Sequence, residues 1–294
     1  AMTGALRLAF GLVAALLLSA CGKPDPDSPP PSPILYELAS ADGSVEGWLF
    51  GTIHALPDGT EWRTPAIERA LAEADLLVVE IADLDDRAAA TALFSAKAAA
   101  HGQPDILERV PGELRPALAG LVDRSGLSHD DLRGVDTWAA ALMLAQSIRH
   151  GDSRNGVDRA LVRAFKGREV IELEGMAEQF AMFDDLPERE QRDMLAAVVL
   201  DQQSARDDPG RLTRAWLAGD IDRLIDPASS ALLADPELRH VLLARRNAEW
   251  APFLARLLRQ DERVLVAVGA GHLPGPDGLA ALLEAEGFTV RVIR

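Results

Sequence analysis

Apolar residues fall into two patterns along this chain. Runs that are apolar at almost every position, LLVV at 76–79 and VLVAV at 264–268, suit strands buried on both faces of a sheet. Apolar residues three or four apart, such as Ile67, Leu71 and Ala74, suit a helix with one buried stripe, and Thr64-Pro65 ahead of them supplies a cap and a proline at the first helical position. Loose alternation over 34–40 and 45–52, joined by Ala41-Asp-Gly-Ser44, predicts an antiparallel hairpin. Helical spacing dominates the middle, over 85–101, 111–125, 136–150, 157–166, 187–206 and 236–260, with one short strand at 169–173. Near the end come a strand over 263–268, an amphipathic helix over 276–286 and a closing strand over 288–293. No fixed repeat period appears, which excludes a helical solenoid.

One composite unit occurs twice: strand, Gly-x-x-His, proline-bearing loop, helix, strand. It is WLFGTIHALP at 48–57 and VLVAVGAGHLPG at 264–275, each with the helix and strand that follow. A strand-helix-strand crossover favours parallel pairing in a sheet covered by helices. The fold class read from this is α/β, with a central mixed, largely parallel sheet built from the two units at the chain ends and a helical middle or cap over 85–260.

Composition narrows the function more than the fold. The 294 residues are 48% hydrophobic and 26% charged, an ordinary globular mixture. A formal charge of -16, from 30 Lys+Arg against 46 Asp+Glu, would repel nucleic acid and excludes it as a partner. The apolar run at 8–18 follows Arg7 and is too short to span a bilayer, so 1–20 reads as a secretory signal peptide. Cys21 is the only cysteine, which rules out an internal disulfide and makes lipid attachment its expected use. KPDPDSPPPSP at 23–33 reads as an extended tether, so 21–33 links a lipidated cysteine to a domain over 34–294.

The candidate chemistry lies at strand ends. Ligands collect beyond the carboxyl ends of parallel strands, and His54, Glu80, Glu174 and His272 are all expected there. A glycine three residues before each histidine lets the backbone turn tightly or another group come close. Two histidines with one or two carboxylates suit a divalent metal such as Zn²⁺ or Mn²⁺, or a general acid/base site without metal. Glu80 follows Leu-Leu-Val-Val and needs a partner if buried; a ligand or base role and an ion pair with an arginine are both open. Glu174 either joins the site or caps the helix after Gly175. Arg245-Arg246-Asn247 either orients a carboxylate or substrate carbonyl or forms a solvated basic face. The other histidines, His101, His129, His150 and His240, lie beside charged residues and suit solvated positions. The chain contains no Gly-x-Ser-x-Gly elbow, no phosphate loop, no His-Glu-x-x-His and no dinucleotide-binding glycine fingerprint.

Resemblances sharpen these readings. LSAC at 18–21 resembles a bacterial lipobox, and by resemblance to lipoproteins Gly22 implies the outer membrane. The expected location is therefore the bacterial cell envelope, facing the periplasm, with the membrane as a partner through Cys21. LFGTIHALP at 49–57, LLVVE at 76–80, GVDRALVRAF at 156–165, VIELEG at 170–175, RRN at 245–247 and VAVGAGHLPG at 266–275 together resemble the TraB/GumN family. That family is related to the Tiki metalloproteases and more distantly to erythromycin esterase and ChaN-like haem-binding proteins. The resemblance implies an active site of His54, His272 and Glu80, with Asp158, Arg246 and Asn247 supporting it or orienting substrate. Through the Tiki branch it implies a peptidase dependent on a divalent metal (Mn, Zn or Co) held by His54, His272 and Glu80, with a peptide or small-molecule substrate. Through the ChaN-like branch it allows an alternative, a haem- or iron-binding protein, and a further alternative is a non-catalytic envelope protein on the same fold.

Overall fold

The structure is a computed structural model, and it describes residues 30–294 apart from 101, 148, 149 and 229. The expected signal peptide, Cys21 and most of the tether lie outside the described residues. Among the described residues no helix is long and apolar enough to cross a membrane.

Six strands form one sheet: β1 (Leu35–Ala39), β2 (Val45–Thr52), β3 (Leu76–Val79), β4 (Glu169–Glu172), β5 (Val264–Gly269) and β6 (Thr289–Ile293), in the order β4-β3-β5-β2-β1-β6. The first four of that order are parallel neighbours, whereas β1 runs antiparallel to both β2 and β6. The expected hairpin is β1–β2, with Gly43 at φ 88° in its turn. The crossovers differ from the expectation of direct parallel pairing. β5 inserts between β2 and β3, and β6 lands beyond β1, so each crossover skips at least one strand.

Alternation across the pleat explains why two apolar layers form. Trp48, Phe50, Leu77, Val79, Leu265 and Ala267 face one side, where they meet Ile67, Ala70 and Leu71 of helix Pro65–Glu73 and Val157 and Leu161 of helix Val157–Ala164. Leu49, Leu76, Val78, Val264, Val266 and Val268 face the other, against Trp250 and Leu254 of helix Arg245–Leu257 and Leu279 and Leu283 of helix Leu279–Ala285. The first helix starts as expected, with Thr64 accepting from the Ile67 N–H and Pro65 in its first turn. Between β3 and β5 the chain is helical apart from β4, and this region holds a separate apolar cluster that includes Leu118, Leu121, Leu144, Leu195 and Leu238.

Candidate active site

Glu174, Glu80, His272 and His54 follow β4, β3, β5 and β2 respectively, so the strand order alone arrays them along one edge of the sheet. At each Gly-x-x-His the glycine serves close approach rather than a left-handed turn, since neither Gly51 nor Gly269 has positive φ. A Cβ on Gly51 would stand 3.1 Å from Cα and Cβ of Ala270, and one on Gly269 3.3 Å from Glu80 Oε1.

His272 is buried in a network that fixes its tautomer. Its Nδ1 lies 2.6 Å from Asn247 Oδ1, an oxygen that can only accept, so Nδ1 carries the proton and donates. The Asn247 amide is itself oriented by donating to the carbonyls of His272 (3.2 Å) and Asp277 (2.8 Å). The Nε2 lone pair then accepts from Arg246 Nη1 at 3.1 Å, and the ring packs 4.7 Å from that of Trp250. Burial, with help from the charges of Arg246 and His54, outweighs the attraction of Glu80 and lowers the imidazole pKa to about 4. His272 is a neutral acceptor at physiological pH.

Arg246 spends every N–H it has. Nε and Nη2 form a bidentate pair with Glu174 (2.7 and 2.9 Å), Nη2 also reaches Glu80 Oε2 (2.6 Å), and Nη1 reaches the Leu242 carbonyl (3.0 Å) besides His272. Its guanidinium carbon lies 4.6 Å from the centre of the Trp250 ring. A π-helical turn at His240–Ala244 precedes this helix, and such turns re-phase the side chains that follow. Arg246 and Asn247 face the strand ends, while Arg245 is exposed, 4.0 Å from Glu249.

Glu80 completes the buried group. Its Oε1 accepts from the Gly269 N–H at 2.7 Å. Burial would raise this carboxyl, but His272, Arg246, His54 and the Gly269 N–H outweigh it and hold its pKa at about 2. The ion pair with an arginine weighed for Glu80 is present, and the carboxylate also lies 3.9 Å from His272 Nε2.

His54 sits in the opposite setting. Its side chain is 70% exposed, and its Nδ1 lies 2.8 Å from Asp158 Oδ2. A carboxylate only accepts, so the lone pair of this ring is on Nε2. That atom would be 3.8 Å from a Cβ on Gly269, as would His272 Cδ2, which places both imidazoles and Glu80 Oε1 around one glycine. Asp158 is buried and also accepts from Thr52 Oγ1 at 2.5 Å. Gly156 lets the segment reach the strand end: a Cβ there would stand 2.5 Å from the His54 carbonyl oxygen. His54, Glu80 and Asp158 open onto a cleft of about 320 Å³, bounded also by Ile81, Leu84 and Gln179.

The structure thus brings all seven expected site residues, His54, Glu80, Asp158, Glu174, Arg246, Asn247 and His272, together at the strand ends. Glu174 does not cap the following helix: Gly175 is its N-cap, without a side-chain bond, and Arg246 takes the carboxylate. Two participants carried no sequence expectation, Thr52 behind Asp158 and Trp250 beneath Arg246 and His272. Trp250 lies one helical turn after Arg246, a spacing that could have flagged it. Elsewhere His129 pairs with Asp105 rather than remaining merely solvated, and His101 lies outside the described residues.

Among the described residues no three His, Cys, Asp or Glu side chains stand already gathered as a metal site. The donor set nevertheless fits a divalent ion in kind. Both rings are protonated on Nδ1 and present Nε2, both are oriented by a further side chain, and Glu80 is held ionised. Arg246 bridges two of the three donors and would have to yield the His272 contact.

No curated protein and no solved structure gives a match to this chain. The family model described as TraB/PrgY/gumN matches residues 34–292, and the chain belongs to that family.

Proposed function

We propose that the chain is an envelope lipoprotein whose domain hydrolyses peptide or amide bonds with the help of a divalent metal. The observation that carries this reading is the convergence of His54, His272 and Glu80 around Gly269, from three neighbouring strand ends. These three side chains would hold the ion. When bound it would supply Lewis acidity, lowering the pKa of a water toward ~7 and polarising a substrate carbonyl.

The remaining work falls to the chain itself. Asp158 and Asn247 keep both Nε2 lone pairs turned inward and raise ligand basicity. Glu80, held near pKa 2, is a weak base, so its charge favours the ligand role over proton abstraction. Arg246 offsets one of the two charges of Glu80 and Glu174 and can turn one N–H from His272 toward a developing oxyanion while the Glu174 pair still fixes the guanidinium.

Metal analysis after Mn²⁺ or Zn²⁺ loading and dialysis tests the reading. Wild type should retain metal, and His54→Ala and His272→Ala should lose it along with at least ~100-fold of peptide hydrolysis. Equal metal content in all three proteins would reject the metal site. For the anchor, Cys21→Ala should move the protein from the membrane to the soluble envelope fraction, and unchanged fractionation would reject lipidation.

A further inference from the structure

A second cavity, of about 460 Å³, backs onto the ion network from the other side. Glu174 and Arg246 line it, so its wall is the pair that supports Glu80 and His272. Helix Met176–Asp184 separates it from the first cleft: Glu178 faces the second cavity, and its neighbour Gln179 the first. Leu173, Met182, Trp250 and Phe253 form apolar stretches of its walls, and charged side chains form most of the rest. The charges around these walls do not cancel. Arg246 is saturated by Glu80 and Glu174, and Arg245 lies beside Glu249, which leaves Glu178 and Asp185 with no ion-pair partner among the described residues.

A cavity with apolar stretches in its walls and surplus negative charge on exposed Glu178 and Asp185 matches a side chain that has an apolar stem and a cationic head. We propose that this cavity is a specificity subsite for a lysine or arginine side chain of a polypeptide substrate. The inference names the substrate class for the reading above and so rests on it, but the occupancy of the cavity can be measured without turnover. An acidic ligand is disfavoured by the same two carboxylates.

The test uses metal-free protein of the whole 34–294 domain and N-acetylated, fluorescently labelled heptapeptides that are identical except for lysine, arginine, norleucine or glutamate at the centre. Fluorescence anisotropy should show the lysine and arginine peptides binding roughly tenfold or more tightly than the norleucine peptide, and the glutamate peptide most weakly. The double variant Glu178→Gln/Asp185→Asn, at two exposed positions, should abolish that preference while its thermal unfolding is unchanged. His54→Ala should keep the preference. No binding by any peptide, equal binding by all four, or a preference that survives the double variant would overturn the subsite. If the preference appears and depends on Glu178 and Asp185 while no peptide is cleaved, the subsite stands and the hydrolase reading fails.

Discussion

His54 and His272 leave neighbouring parallel strands, each three residues after a glycine, yet the side chain of the first is 70% exposed and that of the second 5%. The exposed ring is backed by a carboxylate, Asp158; the buried ring is backed by an amide, Asn247, and faced by a cation, Arg246. An anion behind an imidazole favours its charged form more than an amide does, and at His272 burial, helped by the guanidinium in front, opposes protonation. One motif therefore delivers two rings in different settings: an accessible one at the cleft mouth and one in its wall that burial keeps neutral at physiological pH. Environment, not the motif, assigns the chemistry.

Removing Arg246 should break this contrast most severely. Arg246→Met would leave Glu80 and Glu174 buried without their counter-charge, costing about 3–5 kcal/mol of stability in urea unfolding. An unchanged midpoint would mean that the buried unit does not depend on its cation. Acid should act next most strongly, and of the two rings through the buried one. A histidine whose pKa falls from 6.5 to about 4 on folding binds fewer protons folded than unfolded. Its stabilising share is intact above pH 6.5 and is lost as pH falls toward 4, a loss of order 3 kcal/mol. Glu80, lowered from 4.5 to about 2, adds a further loss below pH 4.5. In chelator-treated protein, His272→Gln should flatten the stability profile between pH 6.5 and 4.5, and His54→Gln should leave it sloping. Parallel profiles for the two variants would erase the distinction.

How much of this could be read from the chain depends on range. The strands β3 and β5 declare themselves because they are apolar at nearly every position, and Thr64-Pro65 declares a helix start by local chemistry alone. Placing Glu80 and His272 at strand ends needed little further, since each follows such a run, whereas His54 and Glu174 follow strands with mixed patterns. Sheet order is a long-range property with no local signature. That β5 slots between β2 and β3, and that β6 pairs with β1, follows from packing of distant segments. The same limit hid Thr52, whose partner lies 106 residues away, and the burial of Arg246 but not Arg245. Helix Arg211–Leu217 gave too short a periodic stretch to register, although its Trp216 N–H holds the Gly51 carbonyl at 2.8 Å.

The support behind the exposed ring gives a smaller effect than the loss of Arg246. Asp158→Asn keeps the size of the side chain but removes the charge behind Nδ1, and an amide can present its N–H₂ to the ring and favour the wrong tautomer. Peptide hydrolysis and metal retention should fall about 10–100-fold. Stability should change far less than in Arg246→Met, because the carboxylate faces a ring already in water. The reverse exchange, Asn247→Asp, would place an anion behind the buried ring and should raise the His272 pKa. NMR titration of the two imidazoles in these variants would show whether the backing residue sets the contrast; if neither variant moves its ring, the backing residues are not its cause.

The finest distinction is between the two glycines. On Gly51 a methyl would meet Cα and Cβ of Ala270 and Cγ2 of Ile34, all at 3.1 Å, between elements that cannot separate without moving the sheet. On Gly269 the nearest atom, at 3.3 Å, is Oε1 at the end of the Glu80 side chain, which can give by a few tenths of an ångström. Gly51→Ala should therefore cost about 1–2 kcal/mol of unfolding free energy by overpacking. Gly269→Ala should cost under about 1 kcal/mol, since a methyl also restricts the unfolded chain. The smaller change falls in the more sensitive place. Shifting Glu80 Oε1 strains its bond from the Gly269 N–H and moves a donor between the two rings, so Gly269→Ala should lower metal retention more than Gly51→Ala does. A Gly269→Ala protein with wild-type metal content would show that the close approach at the second motif serves packing alone.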